Sequence, residues 1–301
     1  MRKSNRNHPY HCSMTVQEAY KHLMYQLFEL YDDREAGNIA DMVTEHITGL
    51  KRIDRIINKQ FPLTNEQEQL LNIYAAELLQ HKPVQYVLHE AWFAGIPFYV
   101  DENVLIPRAE TEELVEWILK EVSGFQFPVS SLLDIGTGSG CIPVALKKKL
   151  SSIEIHALDV SAAALEVAKK NAALQQTEIT FHQLDILNKE DWSRLPKFDI
   201  IVSNPPYIKQ SESEEMHGNV VQHEPHLALF VADEDALLFY KTIAAFAQQH
   251  LNSKGKLFFE INEVLSNEVC ALLEQYRFKN IELRKDMQRK DRMVKAEAPI
   301  P

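Results

Sequence analysis

The chain of 301 residues is 45% hydrophobic, which is enough for one large domain with a core together with a smaller partner domain. It has no apolar run of about 18 residues, the length a membrane helix needs, and no apolar segment follows its charged start, so we expect a cytoplasmic protein. Cys12, Cys141 and Cys270 lie far apart without CxxC spacing, which predicts reduced cysteines, no disulfide framework and no metal site.

The formal net charge of -11 is unevenly distributed along the chain. Residues 1–82 carry 10 basic and 11 acidic side chains, whereas residues 83–301 carry 22 basic and 32 acidic ones. A protein that grips duplex DNA normally presents basic side chains, because neutralising phosphates supplies most of the non-specific affinity. The acidic second part therefore predicts no stable nucleic-acid binding.

Helical periodicity dominates the first part of the chain. Between Thr15 and Gln80 the apolar residues recur at helical spacing, and Thr64 after Pro62 has the position of an N-cap. We therefore predict a small all-helical domain over residues 1–82. Its amphipathic helices and near-neutral charge favour substrate docking over chemistry.

A different pattern begins at residue 83. Aromatic and β-branched residues around Gly95 and Pro97 predict a β-hairpin linker over residues 83–106, followed by a third region over residues 107–301 in which strands and helices alternate. Strands are predicted near residues 130–134, 154–159, 178–184, 198–203, 255–261, 279–285 and 291–297, and helices near 110–122, 140–150, 161–173, 235–251 and 263–275.

This alternation predicts an α/β fold with a doubly wound, mainly parallel, Rossmann-like sheet of seven strands. The last two strands have only a short connection between them. Parallel strands need a long crossover, so this pair is expected to be antiparallel and to lie at one edge of the sheet.

The first chemical motif is LLDIGTGSG, in which an apolar strand runs into the glycine-rich turn Gly136, Thr137, Gly138, Ser139 and Gly140. Glycine allows positive φ and lets a ligand lie against bare peptide groups at a helix N-terminus. The motif predicts a nucleotide or nucleoside site, although an ordinary tight turn between strand and helix has the same pattern.

Two acidic residues end the next two predicted strands. Asp159 can accept both hydroxyls of a ribose, as the acidic residue of nicotinamide dehydrogenases does at nearly the same spacing. Asp185 is placed to meet an adenine amino group, and a role as a helix or turn cap is an equally good interpretation. These residues indicate an adenosine nucleoside and do not identify the reaction.

The third motif is FDIIVSNPPYI, an apolar strand that runs into Asn204, Pro205, Pro206 and Tyr207. Two consecutive prolines make a rigid extended turn whose carbonyls stay free to face a ligand. The motif follows the carboxyl end of a strand, where open α/β sheets bind ligands. A proline-rich surface turn is the alternative interpretation.

Such a turn suits methyl transfer to a planar nitrogen. An amide nitrogen is a poor nucleophile because its lone pair is delocalised, and holding its two N–H groups directs the lone pair at a sulfonium methyl. The Asn204 side-chain oxygen and the Pro205 carbonyl can accept those protons and stabilise the charge that develops on nitrogen. Tyr207 is expected to stack on the flat amide, and no general base is required.

The sequence resembles the HemK family of protein-(glutamine-N5) methyltransferases, which modify the glutamine of the Gly-Gly-Gln loop in peptide-chain release factors. The resemblance is dense over residues 83–301 and extends to the helical domain only in type and position. It rests on the motifs above and on further stretches, namely Pro83 to Glu116, Glu224-Pro225 with Leu227 to Leu229, GKLFFEI ending at Glu260-Ile261, and Lys285, Asp286 and Arg292.

The resemblance implies S-adenosylmethionine as cofactor and release factors as protein substrates. It implies a cofactor site made of Phe93, Arg108, Glu110, the turn Gly136 to Gly140, Asp159, Asp185 and Asn204, and a substrate glutamine on Asn204 to Tyr207. The chain departs from the family at His89, where glycine is usual, and at Ala109, where proline is usual. Both departures concern local backbone shape.

Acidic residues after NPPY permit two interpretations. Glu212, Glu214, Glu215 and Glu224 could form an acidic mouth that attracts a basic release-factor loop, or they could be an ordinary solvated loop. His223, beside Glu224, is expected to be a surface residue and not a catalytic one.

Three other classes remain open at this point. A nucleic-acid methyltransferase acting on exocyclic amino groups shares NPPY but needs a basic groove or a recognition domain. A nicotinamide dehydrogenase shares the glycine-rich turn and Asp159 but does not explain NPPY. A catalytically inactive binding module is disfavoured because all three motifs are intact.

Overall fold

The computed structural model describes residues 13–124, 128–215 and 222–299. The chain divides into two compact units, one ending at Leu88 and the other beginning at His89. Cys12 of the predicted reduced cysteines lies outside the described residues, while Cys141 and Cys270 are free thiols. No helix within these described ranges is long and apolar enough to cross a membrane.

The first unit is all helical. Thr64 begins its fourth helix as an N-cap in a capping box with Gln67, as the sequence predicted, and Thr15 begins the first helix in the same way with Glu18. Its helices are α1 (Val16–Leu27), α2 (Asp33–Thr48), α3 (Arg52–Ile57), α4 (Asn65–Leu78) and α5 (Val84–Leu88).

Helix α5 differs from the sequence-based boundary. Residues 84–88 were assigned to the hairpin linker because valine and tyrosine favour strands. In the structure Val84, Val87 and Leu88 pack into the core of the helical unit. Tertiary packing outweighs the local propensity here, so the helical unit extends to Leu88 instead of ending at residue 82.

The second unit opens with a short antiparallel hairpin, β1 (Ala91–Phe93) and β2 (Ile96–Phe98). His89 precedes it with φ of 52°, a left-handed conformation that explains why a glycine suits this position. Its ring stacks on Tyr99 at 5.3 Å, and its Nδ1 lies 3.2 Å from the carbonyl oxygen of Val100. These contacts compensate for the strained backbone.

The remaining elements of the second unit alternate as predicted. They are α6 (Ala109–Ser123), β3 (Ser131–Ile135), α7 (Cys141–Lys149), β4 (Glu154–Asp159), α8 (Ala162–Leu174), β5 (Thr180–Gln183), β6 (Phe198–Ser203), β7 (Ile208–Lys209), α9 (His226–Leu229), β8 (Phe230–Val231), α10 (Leu238–His250), β9 (Leu251–Glu260), α11 (Ser266–Gln275), β10 (Lys279–Lys285) and β11 (Asp291–Glu297). Ala109 is the first residue of α6, a position where proline is equally well accommodated.

Seven of these strands form one sheet in the order β10-β11-β9-β6-β3-β4-β5. The strands β9, β6, β3, β4 and β5 are parallel, and β11 is antiparallel to both of its neighbours. This confirms the predicted Rossmann-like sheet with an antiparallel pair at one edge. The first strand, β3, lies between β4 and β6, so the topological switch point lies at its carboxyl end, where such sheets bind ligands.

Candidate active site

A cleft opens at the carboxyl ends of β3, β4, β5 and β6. The glycine-rich turn, Asp159, Asp185 and the NPPY turn all contribute to its wall, although they are far apart in sequence. Arg108 and Thr111, at the start of α6, line it too. The sheet topology thus brings the three sequence motifs to one site.

The glycine-rich turn presents bare backbone to this cleft. Gly136 and Gly138 have φ of 75° and 51°, and a Cβ built on either would meet no atom within 4 Å. Thr137 and Ser139 also line the cleft. A ligand can therefore approach the peptide groups of this turn closely.

Gly140 has a different role from the one the sequence suggested. It does not line the cleft, and a Cβ there would lie 3.1 Å from the Cβ of Ala168 in α8. With φ of 77° it caps the start of α7. Gly140 is thus required for the close packing of two helices and for the turn conformation.

Asp159 is held at the cleft by backbone donors. Its Oδ2 accepts the N–H of Gly138 at 2.9 Å and its Oδ1 accepts the N–H of Ser161 at 2.9 Å. Burial raises the pKa of its carboxyl, and these backbone hydrogen bonds oppose that effect. Each oxygen retains a lone pair, so the fixed carboxylate can still accept a pair of ligand hydroxyls.

Asp134 lies in β3, just before the glycine-rich turn, and does not itself line the cleft. It is fully buried, and neither carboxylate oxygen has a hydrogen-bond partner among the described residues. Burial raises the pKa of Asp134 to about 7, the nearby Thr137 hydroxyl opposes this, and the charge of Asp159 raises the pKa further. A cationic ligand near the glycine-rich turn would favour the ionised form of this buried carboxyl.

Asp185 has the predicted role in a turn, and its contact with an adenine amino group stays a prediction. It lines the cleft, and its Oδ1 accepts the backbone N–H of Leu187 at 2.9 Å. The carboxylate therefore closes a turn after β5 while keeping its other oxygen available for a donor.

The NPPY turn follows β6, whose residues are all buried. Asn204, Pro205 and Pro206 line the cleft. Tyr207 does not line the cleft, and it packs against the core beside β9. The predicted stacking of its ring on a substrate amide stays a prediction. The Tyr207 hydroxyl lies 3.5 Å from Oε1 of Glu260.

Behind Asn204 lies a pair of buried polar side chains that motif spacing did not indicate. The Nδ2 of Asn204 donates to Oγ1 of Thr111 at 3.2 Å, and that hydroxyl donates to Oε2 of Glu260 at 2.6 Å. Burial raises the pKa of Glu260 to about 7, while the Thr111 hydroxyl and the charge of Arg292 act in the opposite direction. The side chain of Asn204 is therefore held in place by Thr111 of α6, which is itself bonded to Glu260 of β9.

Arg108 forms an ion pair with Glu224, and this contact gives Glu224 a different role from the two that the sequence suggested. Its Nη2 lies 2.6 Å from Oε1 of Glu224, whose side chain is only 1% exposed and also accepts the backbone N–H of Ile106. Glu224 is thus a buried anchor for Arg108 and no part of an acidic mouth. Of the other three acids, only the side chain of Glu212 falls within the described residues, and it is half-buried.

Two residues implied by the family resemblance lie away from the cleft wall. Phe93 is fully buried and makes an edge-to-face contact with Phe98 at 6.0 Å. Glu110 is half-buried in the first turn of α6, where its charge raises the pKa of Glu260 and of Tyr207. The structure therefore assigns neither a direct position in the cleft.

Family models match both units of the chain. Residues 18–88 match the PrmC N-terminal domain, and residues 114–228 match the methyltransferase small domain. Among solved structures, one described as the delta-N METTL16 MTase domain has a TM-score of 0.50 with 17% identity, covering 68% of this chain and 89% of its own. At that identity the likeness concerns the fold alone.

Two sequence relatives extend over nearly the whole chain. A release factor glutamine methyltransferase of Flavobacterium psychrophilum is 45% identical over 287 residues, covering 94% of this chain and 99% of the relative. One of Bacteroides thetaiotaomicron is 36% identical over 275 residues, covering 91% and 97%. The chain therefore belongs to the family of release factor glutamine methyltransferases.

Proposed function

We propose that this chain transfers a methyl group from S-adenosylmethionine to the side-chain amide nitrogen of the glutamine in the Gly-Gly-Gln motif of peptide-chain release factors. The observation that carries the proposal is the orientation of Asn204 in the cleft. Its Nδ2 is already used by Thr111, so its Oδ1 is the atom left to receive a substrate N–H. Family membership supports the same substrate.

S-adenosylmethionine supplies an electrophilic methyl group on a positively charged sulfur. Residues on one side of the cleft fit such a ligand. Asp159 would accept the ribose hydroxyls and Asp185 the adenine amino group, and the open glycine-rich turn would allow close contact; that both carboxylates line the cleft supports this proposal. The carboxyl of Asp134, buried just before the glycine-rich turn, would favour the positive charge when it is ionised.

Residues on the other side of the cleft can activate the amide. Asn204 Oδ1 and the Pro205 carbonyl would each accept one N–H of the glutamine side chain, which fixes the nitrogen with its lone pair towards the methyl group. As the C–N bond forms, the bond between sulfur and the methyl carbon would break, and S-adenosylhomocysteine would leave as a neutral thioether. The positive charge would pass from sulfur to the amide, where both acceptors would stabilise it. One N–H proton is then lost to water, because the methylated cationic amide is strongly acidic.

The helical unit provides a surface for the rest of the substrate, and we assign it the docking of whole release factor. Ile53, Ile56, Ile57 and Phe61 are exposed by 64, 61, 73 and 59%, an unusual concentration of large apolar side chains around one short helix. An Ile57→Asp variant should lose more activity on whole release factor than on a short Gly-Gly-Gln peptide, and equal losses would argue against docking.

We propose the cytoplasm as the compartment, since release factors act on ribosomes.

Labelled methyl transfer to three purified substrates tests the activity. Release factor, DNA and RNA are each incubated with the enzyme and S-adenosylmethionine carrying a labelled methyl group. We expect label only in release factor, and none when its Gly-Gly-Gln glutamine is replaced. Label in DNA or RNA would instead identify an exocyclic-amino methyltransferase.

A further inference from the structure

Two residues outside the NPPY turn are connected to the side chain of Asn204 by hydrogen bonds. Thr111 belongs to α6 and Glu260 ends β9, and their side chains are 3% and 2% exposed. Glu260 Oε2 accepts the hydroxyl of Thr111 at 2.6 Å, and Thr111 Oγ1 accepts Nδ2 of Asn204 at 3.2 Å. The three side chains form one linear series of hydrogen bonds.

When Glu260 is ionised, the donors and acceptors of this series can be arranged in only one way. A carboxylate can only accept, so the one hydroxyl proton of Thr111 is committed to Glu260. The Thr111 oxygen is then left with lone pairs alone, and the group facing it must be a donor. Asn204 satisfies this condition with its NH2 group towards Thr111 and its carbonyl oxygen towards the cleft.

A flip of the Asn204 carboxamide would break both interactions. Its oxygen would oppose the Thr111 oxygen, and its NH2 group would face the N–H groups of a substrate amide. A buried polar atom without a partner costs about 1–3 kcal/mol, so the flipped form is disfavoured as long as Thr111 donates to Glu260.

We propose that Thr111 and Glu260 are positioning residues that fix the Asn204 carboxamide with Oδ1 towards the substrate nitrogen, an inference that rests on the proposed function. Neither residue touches the substrate in this scheme. Glu260 also meets the other end of the turn, because its Oε1 lies 3.5 Å from the hydroxyl of Tyr207. Glu260 is thus linked to Tyr207 directly and to Asn204 through Thr111.

Thr111→Val tests the series, because it removes the hydroxyl with little change in shape. We expect kcat to fall about 10- to 100-fold, as for a mispositioned acceptor, with the affinity for S-adenosylmethionine nearly unchanged. The melting temperature should fall by a few degrees, because Asn204 and Glu260 each lose a buried hydrogen-bond partner. Thr111→Ser restores the hydroxyl and should recover most of the rate. Thr242→Val is the matched control, since Thr242 is a helical threonine that donates to the carbonyl of Leu238.

A double-mutant cycle separates positioning from a general structural role. If Thr111 acts through Asn204, Thr111→Val should cause no further loss in an Asn204→Ala background. Additive losses, or a Thr111→Ser variant as slow as Thr111→Val, would overturn the inference.

An NMR measurement that needs no methyl transfer tests the positioning of Asn204 independently of the proposed substrate. In a 15N-resolved NMR spectrum, the side-chain amide signal identified by its loss in Asn204→Ala should shift in Thr111→Val and stay in place in Thr242→Val. An unchanged signal would refute the positioning even if release factor is methylated. A shifted signal in an enzyme that does not methylate release factor would refute only the proposed substrate.

Discussion

The two sides of the cleft are built in different ways. The cofactor side, formed by the glycine-rich turn and Asp159, uses backbone donors and a carboxylate, with the buried carboxyl of Asp134 close by in β3. The acceptor side, formed by Asn204, Thr111 and Glu260, is already joined by hydrogen bonds. The first side is suited to receiving the charge of a ligand, whereas the second presents one acceptor atom in a fixed orientation.

This difference predicts that changes on the acceptor side alter the rate, while changes on the cofactor side alter affinity. The sharpest test is Asn204→Ala, which removes an acceptor for developing charge. We expect turnover to fall about 100- to 1000-fold with a much smaller change in the affinity for S-adenosylmethionine. Asn204→Asp should fail as well, because it adds a negative charge and removes the donor to Thr111.

Steady-state kinetics with calorimetry of cofactor binding would check both variants. Asn252→Ala is a suitable control, since Asn252 also donates a partly buried side-chain hydrogen bond, to Asp199, and does not line the cleft. If Asn204→Ala kept turnover within a few-fold of the wild type, NPPY would be no more than a rigid turn.

On the cofactor side, Asp159→Ala should weaken S-adenosylmethionine binding by roughly 1–3 kcal/mol, the scale of a lost pair of charge-assisted hydrogen bonds. The kcat at saturating cofactor should change far less. Calorimetry on this variant and on Asp191→Ala, a surface aspartate paired with Arg194, gives the comparison. Unchanged affinity would remove Asp159 from the site.

The pKa of Glu260, raised by burial to about 7, gives the acceptor side a pH dependence. Ionised Glu260 keeps the direction of the hydrogen bonds, so kcat at saturating cofactor should fall about tenfold from pH 8 to pH 6 as the neutral form accumulates. A Glu260→Gln variant should be slower at pH 8 and nearly flat over this range. The groups that face Glu260 are the side chains of Thr111, Tyr207, Arg292, Glu110 and Tyr240.

Stability should change in the opposite direction over the same range. The pKa of Glu260 is higher in the folded protein than its ordinary value of 4.5, so the folded state binds the proton more tightly. Its contribution to the free energy of unfolding therefore increases as the pH falls from about 7 towards 4.5. Thermal melts at pH 6 and pH 8, compared between wild type and Glu260→Gln, separate loss of rate from unfolding. A parallel fall of rate and stability that Glu260→Gln abolishes would contradict this assignment.

The smallest effect is expected for Glu224→Gln. The variant keeps the shape of the buried side chain but removes the ion pair that anchors Arg108 at the cleft. Affinity for S-adenosylmethionine should fall about fivefold or less, because Arg108 is partly exposed and screened by water. A calorimetric change as large as that of Asp159→Ala would show that Arg108 holds the ligand as strongly as Asp159 does.

The same contrast explains what the sequence could predict. On the cofactor side, the strand, the glycine-rich turn and Asp159 follow local rules of strand ends and helix starts, and the structure brings them together at the expected edge of the sheet. On the acceptor side, Asn204 and Thr111 are 93 residues apart, and Thr111 and Glu260 are 149 residues apart. No local pattern links such positions.

Tertiary contacts also account for the positions that sequence patterns did not indicate. Glu224 looked like a loop acid because its partner Arg108 is distant in sequence, and the ion pair places it in the interior. Tyr207 was expected to face the substrate, yet packing against the core beside β9 keeps its ring out of the cleft wall. Phe93 likewise forms part of the core with Phe98.

Mapping the methylated atom on release factor tests the central claim most directly. Release factor is incubated with the enzyme and S-adenosylmethionine carrying an isotopically heavy methyl group, then digested and sequenced by tandem mass spectrometry. We predict one heavy methyl group per molecule, on the side-chain nitrogen of the Gly-Gly-Gln glutamine, and almost none with Asn204→Ala under the same conditions. Methylation of another residue, or equal labelling by wild type and Asn204→Ala, would contradict the account.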